Sequence, residues 1–215
     1  YNELDKLDPT HQGESATASR LDIRYIVSVL GSSVVAPGYA SMTQDQYRQA
    51  DVLYIGKYSG EAIPNRPLMS SLWLFRYTDM LLSLAEKRAF EGQYTGTVAI
   101  GDYSNVESII FNIRANRTLN FDLTPLSMPT DFSSAQAAYA RILEERRVEF
   151  AFEGYRYLDM KRLGERAGSP GFVRDPQDCV TTGACQLEPT STRLTLPIPR
   201  SEMISNPNMV QNPGY

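Results

Sequence analysis

Tyr139 to Leu163 reads YARILEERRVEFAFEGYRYLDMKRL, and the rest of the chain is interpreted from it. Ile142, Leu143, Met160 and Leu163, with the aromatics Phe150, Phe152, Tyr155 and Tyr157, recur often enough to bury one side of a long helix. The charges are more informative. Glu145, Glu149 and Glu153 fall at i, i+4 and i+8 and would repel one another mildly if unopposed, but Arg146, Arg156 and Arg162 interleave with them. Arg156 follows Glu153 and precedes Asp159 at helical spacing, so the pattern predicts a laced ionic network beside an aromatic core. Such a network fixes geometry at a desolvation cost. Gly154 stands where glycine weakens a helix by up to about 1 kcal/mol, which predicts close approach of another segment. The C-terminal stretch from Leu194 is the expected segment, and Gly154→Leu would then overpack the contact by about 1–3 kcal/mol.

Glu149 and Glu153 would stand about 6 Å apart along a helix, inside the roughly 5–9.5 Å that separates glycosidase carboxylates. Both side chains leave one helix in nearly the same direction, whereas that chemistry needs them on opposite sides of a scissile bond. The sequence also lacks a phosphate-cradling glycine loop, zinc-ligand spacing and any nucleophile relay built on histidine, the single His11 lying in a polar stretch. The residues therefore point to binding or support, with no catalytic group, cofactor or metal site.

Composition narrows the partners. The 215 residues are 42% hydrophobic and 21% charged, enough for a sizeable core. A net charge of -4 leaves no basic surplus for phosphates, which argues against nucleic acid. No apolar run is long enough to span a bilayer, and the first residues lack the charge and apolar centre of a signal peptide. Cys179 and Cys185 lie in CVTTGAC with no histidine near; a local disulfide, two free thiols or a metal are the alternatives, and two ligands do not make a structural zinc site.

In chain order, Leu21 to Leu30 is a short apolar run open to either strand or helix. Gly31 to Pro67 is a long irregular excursion with a short strand expected at Val52 to Ile55. It carries Tyr39, Tyr47, Tyr54, Tyr58, Asn65 and Arg66. Aromatic faces beside amide and guanidinium donors suit sugar rings, so these residues and Trp73 are candidate ligand contacts; the alternative is that the tyrosines staple the loops to the core. Helices are expected at roughly 70–90, 103–117 and 134–163, the first two antiparallel across a loop of about ten residues. The first would bury Leu72, Phe75, Met80, Leu81, Leu84, Ala85 and Phe90, be capped by Ser70 or Ser71 and stop at Gly92. Thr118 to Thr130 should cover the helices. Thr130, Asp131 or Ser133 would cap the third helix, and Gly164 would end it. A second short strand is expected at 193–197, before prolines impose an extended strap. The fold class is mainly α, with long loops and few short strands.

ILEERRVEFAFEGYRYLDMKRLG and LPIPRSEMISNPNMVQNPGY together resemble the C-terminal signature of the SusD/RagB family of outer-membrane nutrient-binding lipoproteins. RYTDMLLSLAEKRAFEG and IIFNIRANRT are similar to two further family helices, in the right order. The signature falls on Glu145, Arg146, Glu149, Glu153, Gly154, Arg156, Asp159 and Arg162, and its ending on Pro197, Pro199, Asn206, Pro207, Asn208, Gln211, Asn212, Pro213 and Gly214, as fold-defining residues. The resemblance implies tetratricopeptide-like helix pairs and a cell-surface, outer-membrane protein that lids a SusC-like TonB-dependent transporter. Such a protein hands over oligosaccharides or, in some members, peptides. Typical members are about twice as long, which implies that residues 1–215 are a C-terminal portion whose N-terminal half, with its lipid anchor, lies outside this chain. A purely structural or transporter-contacting role, with the ligand bound in that other half, is the second expectation. The cell-surface setting also favours the disulfide between Cys179 and Cys185.

Overall fold

The computed structural model describes residues 23–31, 53–55, 57–58, 74–118, 128–174, 176–180 and 185–215. The short apolar run at the start is both helix and strand. Helix α1 (Ile23–Ser28) leads into β1 (Val29–Gly31), which pairs antiparallel with β2 (Leu53–Ile55), Leu30 facing Tyr54. The main body follows as α2 (Tyr77–Phe90), α3 (Val106–Ala115), α4 (Ala135–Glu149) and α5 (Arg156–Leu163). A two-residue ladder of β3 (Phe172–Val173) and β4 (Gln186–Leu187), two short 3-10 turns and α6 (Arg200–Ser205) complete it.

Helix α3 starts where Asn105 accepts a hydrogen bond from the Ser108 N–H at 2.9 Å, and its Val106, Ile109, Ile110 and Ile113 are buried as the spacing predicts. The Asn112 amide donates to the carbonyls of Ala99 and Asp102, both at 2.9 Å, tying the preceding loop onto the helix. The start of α2 meets the end of α3 through Arg117 and Thr78, and its end meets the start of α3 through Arg88 and the Tyr103 carbonyl. The two helices are therefore antiparallel. Helix α4 packs on both, closing a core of Leu82, Ala85, Ile109, Ile110, Ile142, Met160 and Leu163.

Three expectations about α2 are corrected. It begins at Tyr77, after Arg76 and with no side-chain cap, so neither Ser70 nor Ser71 starts it. Its buried side is Thr78, Asp79, Leu82, Ala85 and Ala89. Phe75, Met80 and Phe90 are 77%, 63% and 82% exposed. Small residues on the inner side let the helices approach closely, and the bulky groups are turned outward. Helix α4 is capped by Ser134, which accepts from the Ala137 N–H at 3.1 Å, while Asp131 binds the Ser133 N–H and hydroxyl instead.

The long helix expected at 134–163 is two helices. The chain leaves α4 at Phe150, passes through Phe152 at φ 64° and Gly154 at φ 82°, and resumes at Arg156. Cations compensate the broken ladder: Lys57 donates to the carbonyls of Glu149 and Ala151 at 2.9 and 3.2 Å, and Arg76 to that of Glu149 at 3.0 Å. Gly154 is exposed, and a Cβ there would have nothing within 4 Å. The expected close approach is therefore absent, and Gly154 is used for its left-handed backbone. The strap meets α5 elsewhere, where the Tyr157 hydroxyl donates to the carbonyl of buried Leu194. Gly154→Ala and Gly154→Leu should consequently lose the same stability, about 1–2 kcal/mol of left-handed strain. A clearly larger loss for Leu in urea titrations would restore the overpacking explanation.

No strand forms at 193–197. Thr192–Leu194 is a 3-10 turn, and the strap pins itself: the Gln211 amide accepts from the Ile198 N–H at 2.8 Å and donates to its carbonyl at 3.0 Å. Asn212 donates to the Leu196 carbonyl at 2.7 Å. Cys179 and Cys185 are joined in a disulfide. Thiol titration of unfolded, unreduced protein should therefore find no free thiol, and two thiols would refute the pairing.

Candidate functional site

Each signature charge has a partner brought from another element. Glu145, with no exposed surface, accepts from Arg24 of α1 and from Arg114 of α3 at 2.7 Å. Glu149 takes the edge of Arg117, Nε at 3.2 Å and Nη2 at 2.7 Å, with Arg76 Nη1 at 3.1 Å and Arg24 at 3.7 Å. Glu153 holds Arg76 Nη2 at 2.7 Å and Lys57 at 2.5 Å. Burial by itself would push the Glu145 carboxyl up, but Arg24 and Arg114 outweigh it and hold it below the usual carboxylate range. Burial opposes ionisation of Glu149 likewise, and Arg117, Arg24 and Arg76 together bring it down.

A second cluster lies toward α5. Arg146 donates to Asp159 at 2.7 Å, stands 3.0 Å from Asp79, and lies over the rings of Phe150 and Tyr155 at 5.0 and 5.9 Å. Those rings stack on one another at 4.6 Å, and Arg76 covers Phe150 at 4.9 Å. Arg162 bonds Glu86 at 2.9 Å and Asp159 at 3.1 Å, and Arg156 reaches the Leu143 carbonyl at 3.4 Å. The signature residues other than Gly154 thus act as a lattice clamping α4 and α5 to the surrounding helices. Glu149 and Glu153 share one cation, Arg76, which suits anchoring and not acid–base chemistry.

A cleft of about 610 Å³ opens between α2 and α3. Phe75, Tyr77 and Tyr103 form its aromatic walls, Leu81 and Ile113 its apolar part, and Arg76, Thr78, Asn112, Asn116 and Arg117 its polar part. Tyr77 is hydrogen-bonded to Tyr103, and this bond, ahead of partial burial, raises the Tyr103 phenol above its ordinary value. Among the described residues no group of three or more His, Cys, Asp or Glu could hold a metal ion, and no helix is long and apolar enough to cross a membrane.

Of the ligand contacts expected from sequence, Tyr39, Tyr47, Asn65, Arg66 and Trp73 lie outside the described residues, as does most of the 118–130 loop. Tyr54 is placed on β2 opposite Leu30. Tyr58 is half-buried, and burial, then the charge of Glu153, raises its phenol while Arg76 lowers it. The cleft residues Phe75, Tyr77, Tyr103, Asn116 and Arg117 were not among those contacts. A signal for them existed: Tyr77, Met80, Leu81 and Leu84 form a second apolar stripe on α2 at i, i+3, i+4 and i+7.

Antiparallel helices locked by buried ion pairs, with an aromatic cleft beside them, define a helical binding scaffold. The SusD family model matches residues 28–215, and the chain belongs to that family. It is similar in structure to NanU of B. fragilis, with a TM-score of 0.54 and 22% identity over 90% of this chain and 36% of that one. At this identity the likeness is one of fold, and the chain spans little more than a third of NanU's length. No curated protein sequence matches it.

Proposed function

We propose that the protein is the cell-surface glycan-binding component of an outer-membrane nutrient importer, working with a SusC-like TonB-dependent transporter and held at the membrane by a lipid anchor outside residues 1–215. In this reading the chain is the C-terminal portion of a longer SusD-like protein. The observation that carries it is the family match over residues 28–215, and the aromatic and amide lining of the α2–α3 cleft supports a ligand with apolar faces and hydroxyl edges. Binding without turnover agrees with carboxylates kept ionised by arginine, which leaves Glu145 and Glu149 poor proton donors.

A second reading, in which this portion chiefly supports the rest of the protein and its transporter, is favoured by the outward apolar side of α2, where Leu74, Phe75, Tyr77 and Met80 stand in solvent. Glycan and peptide arrays probed with full-length protein and then with residues 1–215 separate the two. Sugar binding by both supports the proposal; binding by the full-length protein alone moves the ligand site out of this portion. Peptide-only binding rejects the glycan, and sugar release that disappears in Glu149→Gln would make the protein an enzyme.

A further inference from the structure

The α2–α3 cleft has a rigid polar wall and an exposed aromatic rim. Arg117 is fixed between the Thr78 hydroxyl at 2.9 Å and the Glu149 carboxylate, and Arg76 between Glu149 and Glu153. Phe75 and Tyr77, 77% and 69% exposed, stand in front of this wall, with Tyr103 held against Tyr77. Two large rings kept in water forgo burial that would stabilise the chain.

We infer that this cleft is itself a sugar subsite, separate from the loop tyrosines expected from sequence, and that it takes an uncharged glycan with Tyr77 as the stacking ring. The inference rests on the glycan reading above. Its volume lies in the range of ligand pockets, roughly 300–1,000 Å³. A pyranose is amphipathic: its C–H face packs on an aromatic ring while its hydroxyl edge meets amide and guanidinium groups, here Asn116 and Arg117. The exclusion of acidic sugars follows from geometry. A ligand carboxylate is best gripped by two parallel N–H groups of one guanidinium. The Nε and Nη2 edge of Arg117 already holds Glu149, and both terminal nitrogens of Arg76 are bonded within the network. The arginines therefore serve as a fixed wall and offer no fork to an anion.

Calorimetric titration of full-length protein with maltohexaose, cellohexaose, xylohexaose and mannohexaose, and with trigalacturonic acid and 3′-sialyllactose, tests this. At least one neutral hexaose should bind, Tyr77→Ala should weaken it about fivefold or more, and Tyr77→Phe should retain it. Tyr77 is exposed, so unchanged circular dichroism is expected of both variants. Neutral-sugar binding that survives Tyr77→Ala but is lost in Tyr58→Ala would overturn the cleft and leave the glycan reading standing. Binding of the acidic sugars alone would overturn the uncharged class. If the wild type takes none of the six, the glycan reading fails and this inference with it.

Discussion

Glu145→Gln should destabilise the protein by about 3–5 kcal/mol, the effect of leaving buried charges without their partner. The substitution keeps the shape of the side chain and removes its charge, so packing loss is not the cause. Arg24 is buried with Glu145, and Arg114 is largely so. Glu149 stands 3.7 Å from Arg24 and already serves Arg76 and Arg117, so it is a poor replacement. Urea unfolding at neutral pH reads the loss, and a change below about 1 kcal/mol would show that the contacts are worth no more than surface pairs. Glu145→Met combined with Arg24→Met should recover part of the stability, because an apolar pair has no desolvation penalty to meet.

Acid should unfold the protein more steeply than its modest net charge suggests. The folded-state pKa values of Glu145 and Glu149 both lie below their unfolded values, so their contribution is fully present above the unfolded glutamate value of about 4.3. It is lost as pH falls through the folded values, when protonation leaves Arg24, Arg114 and Arg117 facing neutral acids. The urea midpoint should stay level from pH 7 to about 5 and drop below that. Glu145→Gln should flatten the slope, since one of the responsible groups is gone. A wild-type midpoint unchanged at pH 3 would contradict the assignment.

The sequence made one side of this lattice visible and hid the other. Periodic glutamates and arginines between 145 and 162 predict buried ion pairs because one helix displays them together. Arg24, Lys57, Arg76, Arg114 and Arg117 come from separate elements, and no local spacing announces where tertiary packing will bring them. The break at 150–155 escaped for a related reason. A glycine among helix-forming residues is compatible with close approach or with left-handed backbone, and only the position of its neighbours decides. On α2 two apolar stripes compete, and the one with small alanines won the core because it lets α3 and α4 come near. That outcome placed Phe75 and Tyr77 in the cleft wall, while most of the loop aromatics marked as ligand contacts lie outside the described residues.

The pairing of Arg24 with Glu145 also bears on the order in which the molecule assembles. These residues are 121 positions apart, whereas the contacts between α2 and α3 close over a short loop. Short loops are entropically cheap and form early; a closure of this span comes late. Until α1 arrives, Glu145 and Arg114 must remain hydrated, so the helices gather first as a loose, wet bundle. Docking of Arg24 then expels that water, and the charge lattice acts as the final clasp of folding and not as its nucleus.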